Sequence, residues 1–274
     1  MKKLLFILIF LAAACTQVTA PHILPAQNGS IFVDDGGRGG VPVVFVHGNG
    51  GSSAQWRAQL EHLRATRRAI AIDLPGFGKS SAPANGDYSL GAMSSAIDDA
   101  VKDIGVRRFV IVGHSYAGAV IAKYAAEHPG KIAGVVYVDA AAMTLTLSDE
   151  QKSRIDAALR ADKMQVVRAM FAPMLKPSSA EVQTAVLHSV EQTSTDAFIG
   201  ALMSLLQYDA QSLVRAYPGP KLAIVASDIE SPASFSKQFP DVQTVRISGA
   251  GHWLMLDKPS ELNAALDAFL AEIH

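Results

Sequence analysis

The chain has 274 residues, 49% of them hydrophobic and 18% charged, with a formal net charge of −1. That supplies apolar material for one sizeable core and gives no electrostatic reason to expect nucleic acid or an anionic membrane surface as a partner, since Lys and Arg are scattered. One cysteine, Cys15, excludes an intrachain disulfide and a cysteine zinc cluster.

Residues 1–20 read as an export signal. Lys2 and Lys3 form a short positive segment, Leu4 to Leu11 an apolar run too short to span a bilayer, and Ala12, Ala13 and Ala14 follow. Leu11-Ala-Ala-Ala-Cys15 also resembles a bacterial lipoprotein signal, in which the cysteine is lipidated and becomes the mature N-terminus, although Ala12 stands where such signals usually carry leucine. The expected location is therefore periplasmic, either free or held at a membrane through a lipid anchor on Cys15; ordinary cleavage nearby would leave a soluble periplasmic or secreted protein. Cys15 is not a candidate catalytic thiol.

Residues 21–30 read as a polar linker. Ile31–Asp34 reads as a strand ending in the glycine-rich turn Gly36–Gly40. Val41–Val46 is a continuous apolar run, as expected of a strand covered on both faces. A helix is expected from about Ser53 to Arg64, then a strand at Ala69–Ile72, a helix over about Leu90–Ile104 and a strand at Arg108–Val112. Another helix begins at Ser115, and Gly134–Val138 is the sixth strand. This alternation predicts an α/β fold, a mainly parallel doubly wound sheet with right-handed crossovers and helices on both faces.

Between about Ala141 and Tyr217 the alternation stops. Ser148–Ala161, Met164–Met174, Ala180–Gln192 and Asp196–Tyr208 carry helical periodicity, and no strand is read there. We read 141–212 as a helical cap inserted after the sixth strand, over the carboxyl ends of the sheet, and 31–140 with 213–274 as the core. Of the cap's Met164, Met170, Phe171, Met174, Phe198, Leu202, Met203 and Leu206, most are expected to pack helices together and a minority to face a substrate pocket. Strands at Leu222–Val225 and Val242–Ile247 and a helix from about Ser260 to Ile273 complete the pattern.

The strongest chemical signal is Phe109-Val-Ile-Val-Gly113-His114-Ser115-Tyr116-Ala117-Gly118-Ala119, an apolar strand running into a serine at the start of a helix. A sharp strand-to-helix turn pushes such a hydroxyl above the sheet and needs small residues two before and two after it, here Gly113 and Ala117. The plain alternative is a helix N-cap serine. Val46-His47-Gly48-Asn49-Gly50-Gly51 follows a buried strand, and acyl transfer needs fixed N–H donors for its developing oxyanion. The amides of Asn49 and Tyr116 are the candidates; otherwise the segment is a simple glycine-rich turn. His47 reads as a loop organiser. Ser248-Gly-Ala-Gly251-His252-Trp253 places a histidine on a glycine-bounded loop after the last strand, suited to act as general base. Gly78-Lys79-Ser80 is not a phosphate loop, because Asp73 stands where that pattern requires glycine.

With these residues the chain, from Ile31 to His274 and interrupted mainly by the cap, resembles the α/β-hydrolase superfamily, and within it the esterase-like branch of serine hydrolases. Asp73-Leu-Pro-Gly-Phe-Gly-Lys-Ser80 matches the family's turn after its fourth strand, and Gly251-His252-Trp253-Leu-Met-Leu-Asp-Lys-Pro259 its closing segment. Ala117 departs from the glycine the pattern often carries. The resemblance argues against the haloalkane dehalogenase and epoxide hydrolase branches, which use aspartate where Ser115 stands.

A third residue must accept a hydrogen bond from the other nitrogen of His252. Asp228 follows the strand Leu222–Val225, where the family most often keeps its acid, but lacks the usual glycine-bearing turn. Asp139 follows Gly134–Val138 directly, an alternative family position, and is the preferred candidate; it can equally be a structural aspartate. Glu230 ranks third. The expected reaction is cleavage of a small or medium hydrophobic ester by Ser115, His252 and Asp139 (or Asp228) through an acyl-enzyme, with no metal or organic cofactor. The alternatives are a catalytically silent envelope protein that binds through the same scaffold, and a cofactor-free haloperoxidase.

Overall fold

In a computed structural model of the protein the described residues are 21–26, 29–140, 147–227 and 234–273. The export signal with Cys15 and the alternative acids Asp228 and Glu230 lie outside them.

Eight strands form one sheet. β3 (Val43–Val46), β4 (Ala69–Ile72), β5 (Phe109–His114), β6 (Ile132–Val138), β7 (Lys221–Ala226) and β8 (Gln243–Ile247) pair in parallel. β1 (His22–Ala26) and β2 (Gly29–Gly36) pair antiparallel with each other and with the rest of the sheet, giving the order β1-β2-β4-β3-β5-β6-β7-β8. The strand reading of 41–46 has a direct physical basis. Val44, Val46, Ile70, Ile72, Phe109 and Ile111 enter one apolar layer, while Val43, Phe45, Ala69, Ala71, Val110 and Val112 enter the other. Successive side chains point to opposite faces, so a strand covered twice must be apolar throughout.

One layer is closed by α2 (Leu90–Asp103), α3 (Ala117–Glu127) and α7 (Ala210–Ala216). The other is closed by a 3₁₀ turn (Ser53–Trp56), α1 (Arg57–Leu63), α9 (Leu254–Asp257) and α10 (Pro259–Ala271). The cap follows β6 as α4 (Asp149–Leu175), α5 (Ala180–Gln192) and α6 (Thr195–Leu205). A further short helix, α8 (Phe235–Gln238), precedes β8. Among the described residues no helix is long and apolar enough to cross a membrane.

The structure departs from the sequence reading in two places, at 21–30 and at 212. Within the linker expected at 21–30, His22–Ala26 form β1 and Gly29 and Ser30 begin β2, with His22 opposite Val33 and Pro25 opposite Ser30. β1 is an edge strand, the position in a sheet that tolerates a proline lacking its N–H donor. The break expected between Ala161 and Met164 is present within α4, where Asp162 has non-helical angles (φ −154, ψ 91) and accepts a hydrogen bond from the Gln165 N–H at 2.9 Å. The helix thus restarts from a capping aspartate where two helices were read. α7 straddles the expected boundary at 212 and belongs to the body, because Ala210 and Val214 share the layer of Ile121 and Tyr124.

Candidate active site

β5 ends at His114 and α3 begins at Ala117, so Ser115 and Tyr116 alone make the turn. Among the described residues only Ser115 (φ 53) and Asp139 (φ 40) are non-glycines with positive φ. Such backbone is strained, by about 1–3 kcal/mol, and clusters at functional sites. A Cβ on Gly113 would lie 2.8 Å from Ile121 Cδ1 and 2.9 Å from the Ala117 carbonyl oxygen, which is the physical reason for a glycine there.

Asp139 follows β6 immediately. Its N–H donates to the Ile224 carbonyl at 2.8 Å, and its Oδ1 accepts from the Ala226 N–H at 3.2 Å, so β7 holds both its backbone and its carboxylate. Its Oδ2 accepts from His252 Nδ1 at 2.6 Å. Both side chains are only 13% exposed, which strengthens a charge-assisted bond relative to water. His252 is held by its backbone as well, its N–H donating to the Met174 carbonyl at 3.1 Å and its own carbonyl accepting from His114 Nε2 at 2.9 Å.

The loop after β3 lies against the serine: a Cβ on Gly48 would be 3.1 Å from Ser115 Cβ. His47 organises this loop. Its Nδ1 donates to the Gly48 carbonyl at 2.8 Å and its Nε2 accepts from the Leu74 N–H at 3.0 Å. Burial depresses its pKa despite the opposing field of Asp73, which keeps the ring neutral and able to do both. Asp73 in turn accepts from the N–H groups of Ser53 (2.5 Å) and Lys79 (2.8 Å), joining this loop to the turn after β4. The N–H groups of Asn49 and Tyr116 donate to no acceptor among the described residues. Asn49 Nδ2 donates to the Phe198 carbonyl at 3.0 Å, and Ser189 Oγ donates to the Gly50 carbonyl at 2.8 Å, both across to the cap.

Sequence reading assigned no part to His114, Ser178 or Asp257, although all three border the histidine loop. His114 is buried, and burial followed by the nearby His252 ring, 4.6 Å away between centroids, keeps its pKa well below the ordinary value. Of the cap's apolar residues singled out above, Phe171 and Phe198 are buried, and Phe171 packs 5.2 Å from the Trp253 ring, whereas Met170 is exposed. Among the described residues no group of three or more His, Cys, Asp or Glu side chains could hold a metal ion. A cavity of about 350 Å³ is lined by Ser30, Pro75, Ser81, Asp87 and Ala96, with neither Ser115 nor His252 at its border.

Residues 41–259 match the family model described as alpha/beta hydrolase fold. The chain is 28% identical over 253 residues to the dihydrolipoyllysine-residue acetyltransferase component of the acetoin cleaving system of Pseudomonas putida, a match covering 86% of this chain and 65% of that protein. The chain thus spans just under two thirds of the length of that relative. Among solved structures it superposes on a thermophilic esterase from Thermogutta terrifontis with a TM-score of 0.80 at 23% identity, covering 93% of this chain and all of the other. A bromoperoxidase from Bacillus anthracis superposes with a TM-score of 0.79 at 20% identity, over 92% of this chain and 100% of that one. At such identities the likeness is one of fold. With the family match extending over most of its 274 residues, the chain belongs to the alpha/beta hydrolase fold family.

Proposed function

We propose that the protein is a serine hydrolase that cleaves a small or medium hydrophobic ester. Ser115 is the nucleophile, His252 the general base and Asp139 the acid that fixes the tautomer of His252. With Nδ1 bound to Asp139, Nε2 takes the serine proton as Oγ attacks the ester carbonyl. The N–H groups of Asn49 and Tyr116 receive the oxyanion. The imidazolium then returns the proton to the leaving alcohol, and water attacks the acyl-enzyme through the same base. Serine rather than aspartate at 115 favours acyl transfer, and the apolar inner side of the cap favours an apolar substrate.

The observation that carries this reading is the 2.6 Å bond between Asp139 and His252, made by a carboxylate on strained backbone one strand away from the strained Ser115. A fluorophosphonate probe tests it. Ser115 is expected to be labelled in the wild type and label to be lost in Ser115→Ala; an unlabelled wild type would favour the binding-protein reading. Asp139→Asn is expected to lower turnover of a chromogenic ester ~10⁴-fold, as loss of a triad aspartate does elsewhere, with Asp228→Asn near normal. The reverse pattern would transfer the acid role to Asp228. Export and lipidation belong to the same proposal: labelled palmitate is expected to enter the wild-type protein and not Cys15→Ser.

A further inference from the structure

The histidine loop is fastened to the cap as well as to the sheet. The carbonyl of Met174, in the last turn of α4, accepts the His252 N–H at 3.1 Å. Ser178, buried in the corner between α4 and α5, donates its hydroxyl to Asp257 Oδ2 at 2.7 Å. The same oxygen accepts the Gly251 N–H at 2.8 Å. Ser178 is itself fixed, its N–H donating to the Leu175 carbonyl at 2.9 Å and its carbonyl accepting from Gln183 Nε2 at 3.0 Å. The fit leaves no room for a side chain at 251. A Cβ there would lie 2.5 Å from both the Met174 carbonyl oxygen and Ser178 Oγ, and 3.2 Å from Asp257 Oδ2.

We propose that Asp257 is a positioning residue for the general base: one carboxylate oxygen ties the backbone just ahead of His252 to Ser178, so that the imidazole is held in register with Ser115 only while the α4–α5 corner of the cap is seated. The inference rests on the serine-hydrolase reading above and adds a residue to it. The imidazole is anchored at Asp139 through a single ring nitrogen, which leaves the ring free to swing about that bond unless its backbone is also held. Gly251 has no side chain to pack and would otherwise be the soft point of the loop. A carboxylate accepting two N–H or O–H donors is a stronger tie than a neutral acceptor would be. The cap is thereby part of the machinery. Its seating aligns the base, and the parallel bonds from Ser189 to Gly50 and from Asn49 to Phe198 align the proposed oxyanion loop.

The test measures ester hydrolysis by the full-length wild type and by Asp257→Ala, Asp257→Asn and Ser178→Ala, with active sites counted by fluorophosphonate and thermal unfolding recorded alongside. Asp257→Ala is expected to lower kcat per active site ~10- to 100-fold with KM within ~2-fold, since small misplacements of a reacting group act on turnover. Asp257→Asn keeps a carbonyl oxygen as acceptor and is expected to recover most of the loss; Ser178→Ala is expected to fall between. A general loss of stability would reduce the number of titratable sites but not the turnover of each. An Asp257→Ala protein that folds with wild-type kcat per site overturns the inference. Should that variant fail to fold, wild-type turnover in Ser178→Ala overturns it instead. A wild type inert toward probe and esters overturns the parent reading and this one with it, whereas an active wild type with unaffected variants overturns this one alone.

Discussion

His47 and His114 are both buried, and burial holds both pKa values below the ordinary histidine value. The unfolded chain therefore binds protons that the folded chain refuses. Each ring's folded pKa lies below its unfolded value of about 6.5, so stability is fully retained above that pH and declines as pH falls beneath it, by at most about 1.4 kcal/mol per pH unit per ring. Urea unfolding at pH 7.5 and 5.5 is expected to give a lower midpoint at the acidic value. Replacing His47 with Leu is expected to shrink that difference while destabilising the protein at both pH values by about 2–4 kcal/mol, because the Gly48 carbonyl and the Leu74 N–H lose their partner in the interior. At this scale the sequence was informative where chemistry forces a local pattern. Ser115 stands in a strand–turn–helix signature and His252 in a glycine-bounded loop. Asp257 stands in the same closing segment as His252, but its pairing with Ser178 carries no such signature, since 79 residues separate them and only the folded chain brings them together.

Among the elements, Asp98 on α2 joins three parts of one layer. It accepts from Tyr124 of α3 at 3.0 Å and pairs with Lys102 on its own helix and with Lys131 in the turn before β6. Burial alone would raise its pKa, but the hydrogen bonds from Lys102, Lys131 and Tyr124 prevail and hold it at about 2. The folded value is depressed, so the contribution is fully present above the unfolded pKa of about 3.9 and is lost as pH falls through about 2. Asp98→Asn is expected to unfold at lower urea than the wild type at neutral pH, with the gap narrowing once pH drops below about 4. A gap that stayed constant down to pH 2.5 would mean that the carboxylate's charge is irrelevant to this junction. The elements themselves were legible where burial imposes a period. β3 and β5 read as strands because both faces are covered, and α5 read as a helix over the residues it occupies. β1 was not legible, since five residues including Pro25 form a strand only against β2. The seven-residue α7 likewise owes its place to α3 rather than to its own length.

For the molecule as a whole, one apolar cluster runs without a break from Leu159, Phe171, Val190 and Phe198 of the cap to Trp253, Leu254 and the Val110 and Val112 face of the sheet. Sharing a core in this way couples the cap to the body energetically, so calorimetry is expected to show a single unfolding transition. A separate, earlier transition lost on truncating Phe171 to Ala would indicate that the cap melts alone. Phe171→Ala is otherwise expected to lower the one transition, with a cost of about 3–5 kcal/mol for an emptied aromatic site.

The sheet order has a consequence for how the chain comes into being. β5 and β6 are neighbours in space and in sequence, so Ser115 and Asp139 stand side by side as soon as that pair of strands has formed. The imidazole that bonds to Asp139 lies 113 residues farther on, in the loop after β8. If Ser115 is the nucleophile and His252 its base, as proposed, a nascent polypeptide emerging from the ribosome displays the hydroxyl long before the imidazole that is to take its proton. Under the proposed roles the protein is born disarmed, and the docking of its closing loop is the event that switches it on.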